Sequence, residues 1–345
     1  MSSFIPPKSY AAYQWEAAAT PLKRTERPWK DPEAGEVVVK VLACGVCGTD
    51  GGLQTGRLAP LRYPAIPGHE VVGDVVAAHP TVKEYKVGDR VGAPWQRGYC
   101  GECSRCKNGQ LLGCEKLMMF TTGGACDGGI AQFLRVPTSG ICHIPKGIDP
   151  AEAAPLMCAG VTVFKGMESL KIKPGATVAV HGIGGLGHLG IQYSRAMGFR
   201  TVAISTSGDK KDLALKLGAD IFIDESAQNA AEELQKLGGA DVIITTAPRA
   251  EANIKMLAGL AFEGKLLILS LPLDDAPFRP AMMPSKRLSI HGWFVGTTED
   301  CKQTVEYSVR HNVKVFVEKF PLCKAEEAFQ HREKAHFRAV ILPWE

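Results

Sequence analysis

Four cysteines crowd the segment CGECSRCKNGQLLGC: Cys100, Cys103, Cys106 and Cys114, spaced C-x2-C-x2-C-x7-C. Four thiolates this close can surround one tetrahedral zinc and leave no open position, which makes a structural rather than a catalytic site. The first part of the spacing is also ferredoxin-like, but a bacterial iron–sulfur run would continue C-x3-C-P. Four unligated thiols in a polar loop rich in Gly and Lys would be an unusual way to use a residue that prefers burial. The spacing therefore predicts a closed structural zinc.

A second cysteine pair lies in CGVCGTDGG (residues 44–52). Half of a zinc knuckle, a redox dithiol, or one metal ligand beside an unrelated cysteine would each fit Cys44 and Cys47. Further along stand His69 and Glu70 in PGHE and Cys158 in PLMCAGVT. Taken singly, His69 reads as a satisfied histidine at a strand start and Cys158 as a small core residue. Local spacing leaves the choice open.

A third motif is glycine-rich. In HGIGGLGHLG, Gly182, Gly184 and Gly187 fit G-x-G-x-x-G, with Gly185 and Leu186 inside the pattern. The first glycine permits a tight turn, the second a close approach of pyrophosphate, and the third close helix–strand packing. A plain glycine turn would look similar, but the motif joins an apolar strand to a helix whose free N–H groups suit phosphate. About 20 residues on, an NAD site usually carries an acid for the ribose hydroxyls. The sequence there is VAISTSGDKK, with Ser205, Thr206 and Ser207 in place of the acid and Lys210 and Lys211 following. Hydroxyl and ammonium groups suit a 2′-phosphate, so NADP(H) is expected over NAD(H). The lysines would also suit an exposed helix start, and Asp209 remains able to reach a ribose.

These motifs need elements to hold them. GEVVVKVLAC (35–44), HEVVGDVVAAH (69–79) and GDRVGAP (88–94) are β-branched runs punctuated by Gly and Pro. Helical spacing enters with DPAEAAPLMCAGVTVFKGM (149–167). A regular alternation then begins: strands at 176–181, 200–205, 220–224, 240–247 and 264–270, helices at 186–198, 209–218, 227–238 and 250–260. That order argues for a parallel sheet with helices on both faces. Around RLSIHGWF (287–294) the alternation stops, and 325–343 reads as a helix then a strand. The expected fold class is α/β: a β-rich unit interrupted by a doubly wound Rossmann unit and completed by the C-terminus.

The 345 residues suffice for two cores. The charge of +4, with 22% charged residues and no long basic run, gives no reason to expect nucleic acid or a membrane surface. No segment has the apolar length of a signal peptide or membrane span, so the cytoplasm is expected. In a reducing compartment the eleven cysteines are not expected to pair as disulfides.

Taken together, CGVCGTD, IPGHEVVG, the four-cysteine loop, PLMCAGVTVFKG, GIGGLGHLGIQ, LSIHGWFVGT and KAHFRAVIL occur in the order found in zinc-dependent alcohol dehydrogenases of the medium-chain dehydrogenase/reductase group. The resemblance runs from about residue 35 to the end and is strongest to the cinnamyl-alcohol-dehydrogenase-like and related microbial or fungal branches. It implies a GroES-like catalytic domain over 1–154 with its zinc loop at 100–114, a Rossmann domain over 155–291, and a C-terminal return over 292–345. It makes Cys47, His69 and Cys158 ligands of a catalytic zinc, so that two zinc ions bind per chain. Glu70 matches a carboxylate able to approach the metal, and Asp50 the acid that orients the ligand histidine. Thr49 matches the hydroxyl that bonds the substrate oxygen, and Thr162 a contact at the nicotinamide end.

Leu58, Trp95, Met119 and Phe294 are implied to line the substrate pocket, although ordinary core packing would account for them equally. A primary alcohol, aromatic or allylic among them, and its aldehyde are the implied substrates, with a homodimer or tetramer as the assembly. A neighbouring branch reduces activated C=C or iminium bonds with the same parts. A zinc-free quinone reductase would lack the ligands, and a non-catalytic nucleotide sensor would not need them. The chain departs from many relatives at Gly48, where a basic residue is usual, and at Gly52, where a relay histidine is usual.

Overall fold

The computed structural model describes residues 4–58, 61–332 and 337–345. The chain forms two compact units: Met1–Val161 with Val295–Val309 and Val315–Glu345, and Thr162–Phe294 with Arg310–Lys314.

In the second unit six parallel strands lie in the order Ile221–Asp224, Arg200–Ser205, Thr177–His181, Ala240–Thr245, Leu260–Ile268, Ser289–Gly292. The strand that comes first in sequence thus sits third, and the order reverses beside it, which makes a doubly wound sheet with its switch point after His181. All five residues of Thr177–His181 are buried, as a strand covered on both faces must be. The helix expected from residue 227 begins at Ala230, because Asn229 caps it by accepting from the backbone N–H groups of Ala231 and Glu232.

One expectation fails here. The alternation does not stop at RLSIHGWF, since Ser289–Gly292 is the sixth strand and pairs with Leu260–Ile268. The segment between them carries Pro272, Pro277, Pro280 and Pro284 and shows only the short helix Met282–Lys286. The prolines break the helical spacing that would have marked another βα step.

In the first unit the strand Glu36–Gly45 is central. It pairs antiparallel with Glu70–Ala78 on one side, and with Phe133–Pro137 and Arg338–Leu342 along the other. Arg90–Ala93 and Cys142–His143 extend the sheet beyond Glu70–Ala78, and Val317–Pro321 lies parallel to Arg338–Leu342. The C-terminal return is therefore a sheet partner of the first unit. Its helix is Ala325–His331, and residues 333–336 lie outside the described residues. The core gathers Val37, Val39, Val41, Val71, Val75, Trp15, Phe329 and Ile341. Cys44 is fully buried in it, and burial pushes its thiol well above the ordinary range. An inert core thiol is the result. An N-terminal hairpin, Ser9–Gln14 with Lys23–Pro28, was hidden by its charged second strand, KRTERP. No helix among the described residues is long and apolar enough to cross a membrane.

Candidate active site

The strand Glu36–Gly45 ends just before Cys47, which sits in extended backbone (φ −100°, ψ 155°) as the N-cap of the helix Gly48–Gln54. Asp50 ties this corner together. Its Oδ2 accepts from the Cys47 backbone N–H at 2.9 Å, and its Oδ1 lies 3.0 Å from Nδ1 of His69. A carboxylate on Nδ1 fixes the imidazole tautomer and turns Nε2 into a lone-pair donor. His69 is delivered one residue before the strand Glu70–Ala78. Cys158 arrives differently. The helical stretch expected over 149–167 is broken there, between the 3-10 turn Ala154–Met157 and the helix Ala159–Ser169 (Cys158 φ −133°, ψ −71°). That break separates Cys158 from both helical turns.

The donor atoms of Cys47, His69, Glu70 and Cys158 lie within 4.8 Å of one another, and all four residues are buried. Cys47 Sγ is 3.9 Å from Cys158 Sγ and 3.6 Å from Thr49 Oγ1. His69 Nε2 and both Glu70 carboxylate oxygens are buried without a hydrogen-bond partner among the described residues. Each such atom costs about 1–3 kcal/mol; a guanidinium 3.4 Å away offsets part of this at Glu70 Oε1, and His69 Nε2 beside the two sulfurs is left calling for a cation. Two sulfurs and an imidazole nitrogen are the donor set of a catalytic zinc that keeps its fourth position open. The residues fit the metal.

Hydrogen bonding from Cys158 holds the Cys47 thiol well below its ordinary value, against burial. The same contact, with burial, pushes Cys158 well up. Burial disfavours protonation of His69, but Asp50 outweighs it and holds the imidazole well above its usual range. Burial pushes Glu70 up to about 8, opposed by Arg338, whose Nη2 is 3.4 Å from Glu70 Oε1. Arg338 also donates through Nη1 to the carbonyl of Val46 at 3.2 Å. Sequence reasoning missed Arg338. The available signal was an arginine inside the otherwise apolar run FRAVIL, a buried charge that needs a partner.

Asp50→Asn keeps the shape but removes the charge behind His69. Chelator competition is expected to show zinc affinity at the cluster of Cys47, His69 and Cys158 falling roughly 10–100-fold, with that of the four-cysteine loop unmoved. Unchanged affinity at both would exclude Asp50 as the support of this site.

The four-cysteine loop also closes on itself. Its sulfurs lie within 4.8 Å of one another, and Cys100 Sγ is 3.9 Å from Cys106 Sγ. Backbone N–H groups of Cys103 and Cys100 point at Cys100 Sγ (3.4 Å) and Cys114 Sγ (3.5 Å). Backbone hydrogen bonding from Cys106 lowers Cys103 to about 6, while burial raises Cys106 to about 12. Donors aimed at sulfur favour thiolates, as a zinc-thiolate centre requires.

The implied pocket residues separate. Trp95 is buried edge-on against the His69 ring, with centroids 5.1 Å apart. Leu58 is half-buried and packs on Gly52, where a Cβ would meet its Cδ1 at 2.5 Å. Met119 and Phe294 are 64% and 45% exposed. Of the remaining cysteines, Cys142 and Cys301 are buried and Cys323 is exposed.

In the second unit the glycine loop has the form the motif requires. Gly182 adopts φ +92°, and a Cβ on Gly187 would fall 1.7 Å from the Gly182 carbonyl oxygen, so only glycine closes this turn. A Cβ on Gly184 would meet nothing within 4 Å, which leaves an open approach to the backbone. Gly185 and Leu186 lead into the helix Gly187–Ala196, whose N-terminus has no side-chain cap. Lys210 donates its ammonium to the Ile183 carbonyl at 2.8 Å and so braces the loop. Ser205 is buried and accepts from the Ser207 N–H, whereas Thr206 and Lys211 are exposed. Asp224, which sequence reasoning also missed, lies close to Gly208: a Cβ there would be 2.8 Å from its Oδ2. Thr162 is buried at the start of this unit.

Residues 33–146 match the family model of the alcohol dehydrogenase GroES-like domain, and residues 185–310 that of the zinc-binding dehydrogenase domain. The chain is 39% identical to the alcohol dehydrogenase notN of an Aspergillus species, over 97% of this chain and 98% of that one. A cinnamyl alcohol dehydrogenase of Sorghum bicolor superposes with a TM-score of 0.88 at 28% identity, covering 97% of this chain and 98% of that one. The structure of CAD from Helicobacter pylori complexed with NADP(H) gives 0.85 at 25% identity, with coverage of 97% and 98%.

Proposed function

The chain belongs to the zinc-dependent alcohol dehydrogenases of the medium-chain dehydrogenase/reductase group, and from that premise we propose that it interconverts a primary aromatic or allylic alcohol and its aldehyde with NADP(H). The observation that carries the reading is the buried set Cys47, His69, Glu70 and Cys158 with its orphaned His69 Nε2. When bound, zinc supplies Lewis-acid polarisation of a C–O group and the nicotinamide exchanges the hydride.

The protein's own residues do the rest. Cys47, His69 and Cys158 would hold the metal, and Asp50 keeps His69 and the Cys47 backbone in register. Glu70, anchored by Arg338, waits beside the ligands as a carboxylate able to take the open position. The Thr49 hydroxyl, on the first turn of the helix that Cys47 caps, would relay the alcohol proton, accepting it as it releases its own toward solvent. Trp95 packs against His69 and keeps water from that side of the ring. A panel of alcohols and carbonyls run with NADPH and with NADH tests the reading. Turnover of aromatic or allylic primary alcohols supports it, and inactivity toward every alcohol and aldehyde refutes it.

The cofactor preference rests on the missing acid after VAI and on the lysines that follow. The Helicobacter pylori neighbour carries NADP(H), in keeping with this reading. Thr206→Asp is the better probe, because Ser205 is buried and Thr206 exposed. Opposing a 2′-phosphate with a carboxylate should weaken NADPH by roughly 1.5–3 kcal/mol, about ten- to hundredfold, and spare NADH. Fluorescence titration of each cofactor measures this. Equal use of both cofactors by the unaltered protein would overturn the preference.

A further inference from the structure

A groove of about 450 Å³ in the first unit plays no part in the dehydrogenase reading. Tyr10 in the N-terminal hairpin, Trp29 just after it, and Phe133 give it aromatic walls. The Trp29 and Phe133 centroids are 5.3 Å apart at 85°, and those of Tyr10 and Phe133 are 5.5 Å apart at 74°. The Tyr10 hydroxyl is partly desolvated, which raises its pKa, and it has no hydrogen-bond partner among the described residues.

The charges lining this groove do not balance. Four cations, Arg27, Lys30, Arg97 and Arg135, face a single acid, Asp127. Arg27 pairs with Asp127 at 2.8 Å, and Arg135 pairs outside the groove with Glu33 at 2.9 Å and Glu36 at 3.2 Å. Arg97 and Lys30 are left, with no ion-pair partner among the described residues. Arg97 spends Nη1 on the Asp127 carbonyl (3.3 Å) and Nη2 on the Arg135 carbonyl (2.6 Å). Both acceptors are neutral, and a guanidinium has five N–H donors to place. Burial draws Arg97 below its ordinary value, against the pull of nearby Glu36 and Asp127, the sign of a cation short of solvent.

A half-buried guanidinium held in place by backbone carbonyls, with donors to spare, is an anion receptor. Its planar fork matches the two oxygens of a carboxylate better than a point charge does. Phe133 is buried among Phe4, Tyr10, Trp29 and Trp344, so the half-buried rings of Tyr10 and Trp29 are the ones left to meet another ring. We propose that this groove binds an aromatic carboxylate, its ring against Tyr10 and Trp29 and its two oxygens on Arg97 and Lys30.

The probe is benzoate, with benzyl alcohol as the neutral control, titrated by calorimetry into the zinc-loaded protein. Benzoate should bind saturably at this groove and weaken as salt rises. Arg97→Met should lower its affinity at least tenfold, about what one charged hydrogen bond contributes. Lys30→Glu, a surface change that leaves the fold alone, should weaken it similarly and answers the question if Arg97→Met fails to fold. Benzoate held at a metal would survive both substitutions, and turnover of an alcohol should be unchanged in both variants. Identical benzoate binding by wild type and Lys30→Glu overturns the proposal. So does benzyl alcohol binding that is lost in the same two variants.

Discussion

Cys158→Ser should abolish turnover and leave a folded protein that holds one zinc instead of two, whereas Cys103→Ser should chiefly cost stability. The difference follows from what each site closes around. Cys158 shares the metal position with Cys47 and His69 next to the Thr49 hydroxyl, and its partners are already fixed by Asp50 and by the sheet. Losing one sulfur there removes the polarising metal but not the scaffold. A fall in kcat of at least about a thousandfold, some 4 kcal/mol of activation free energy, is expected. Cys103 belongs to a loop whose regular structure is limited to the short helix Ser104–Lys107 and two single 3-10 turns, so its order depends on the metal. A closed four-sulfur zinc contributes folding free energy directly. Its loss should lower Tm by roughly 5 °C for a few kcal/mol in a chain of this size. Metal analysis, thermal unfolding and turnover on both variants separate the two roles. A fully active Cys158→Ser protein retaining both metals would refute the assignment of the catalytic ligands.

Much of this arrangement was legible before any fold was seen, and the reason differs by site. The structural loop was readable because its four ligands are local: fifteen residues contain the whole coordination set, and spacing alone selects tetrahedral geometry. The glycine loop was readable because each glycine answers a steric demand, shown by the 1.7 Å approach that a Gly187 Cβ would make to the Gly182 carbonyl. The buried metal cluster was not readable from composition or periodicity. Cys47, His69 and Cys158 come from a strand end, a strand start and a broken helix, and only the ordered series of motifs linked them. Arg338 stayed hidden because its partner Glu70 is 268 residues away in sequence and meets it only once the C-terminal strand joins the sheet. The sixth parallel strand was lost for a local reason, the prolines that replace its preceding helix with loop.

Thr49→Val should reduce kcat roughly a hundredfold or more while leaving both zinc ions in place. Removing a positioned acid–base group typically costs that much, and valine keeps the shape of threonine. Beyond Thr49 this chain lacks the histidine that the family resemblance leads one to expect, and the structure shows what stands there instead. Gly52 faces Leu58 so closely that a Cβ would lie 2.5 Å from its Cδ1 and 2.6 Å from its Cγ. The position is filled by an apolar side chain that neither accepts nor passes a proton. The proton that Thr49 receives must therefore leave through water, and the pH–rate profile of alcohol oxidation should show no imidazole ionisation from this locus. Gly52→His alone would force the new ring against Leu58, so the informative variant is Gly52→His with Leu58→Ala. Its imidazole should introduce a base with a pKa near the usual value of about 6.5, so that oxidation falls as pH drops below it. Adding Thr49→Val to that double variant should erase the new ionisation, because the histidine acts only on a proton that the threonine has delivered. An undiminished rate in the single Thr49→Val protein would mean that another group takes the alcohol proton.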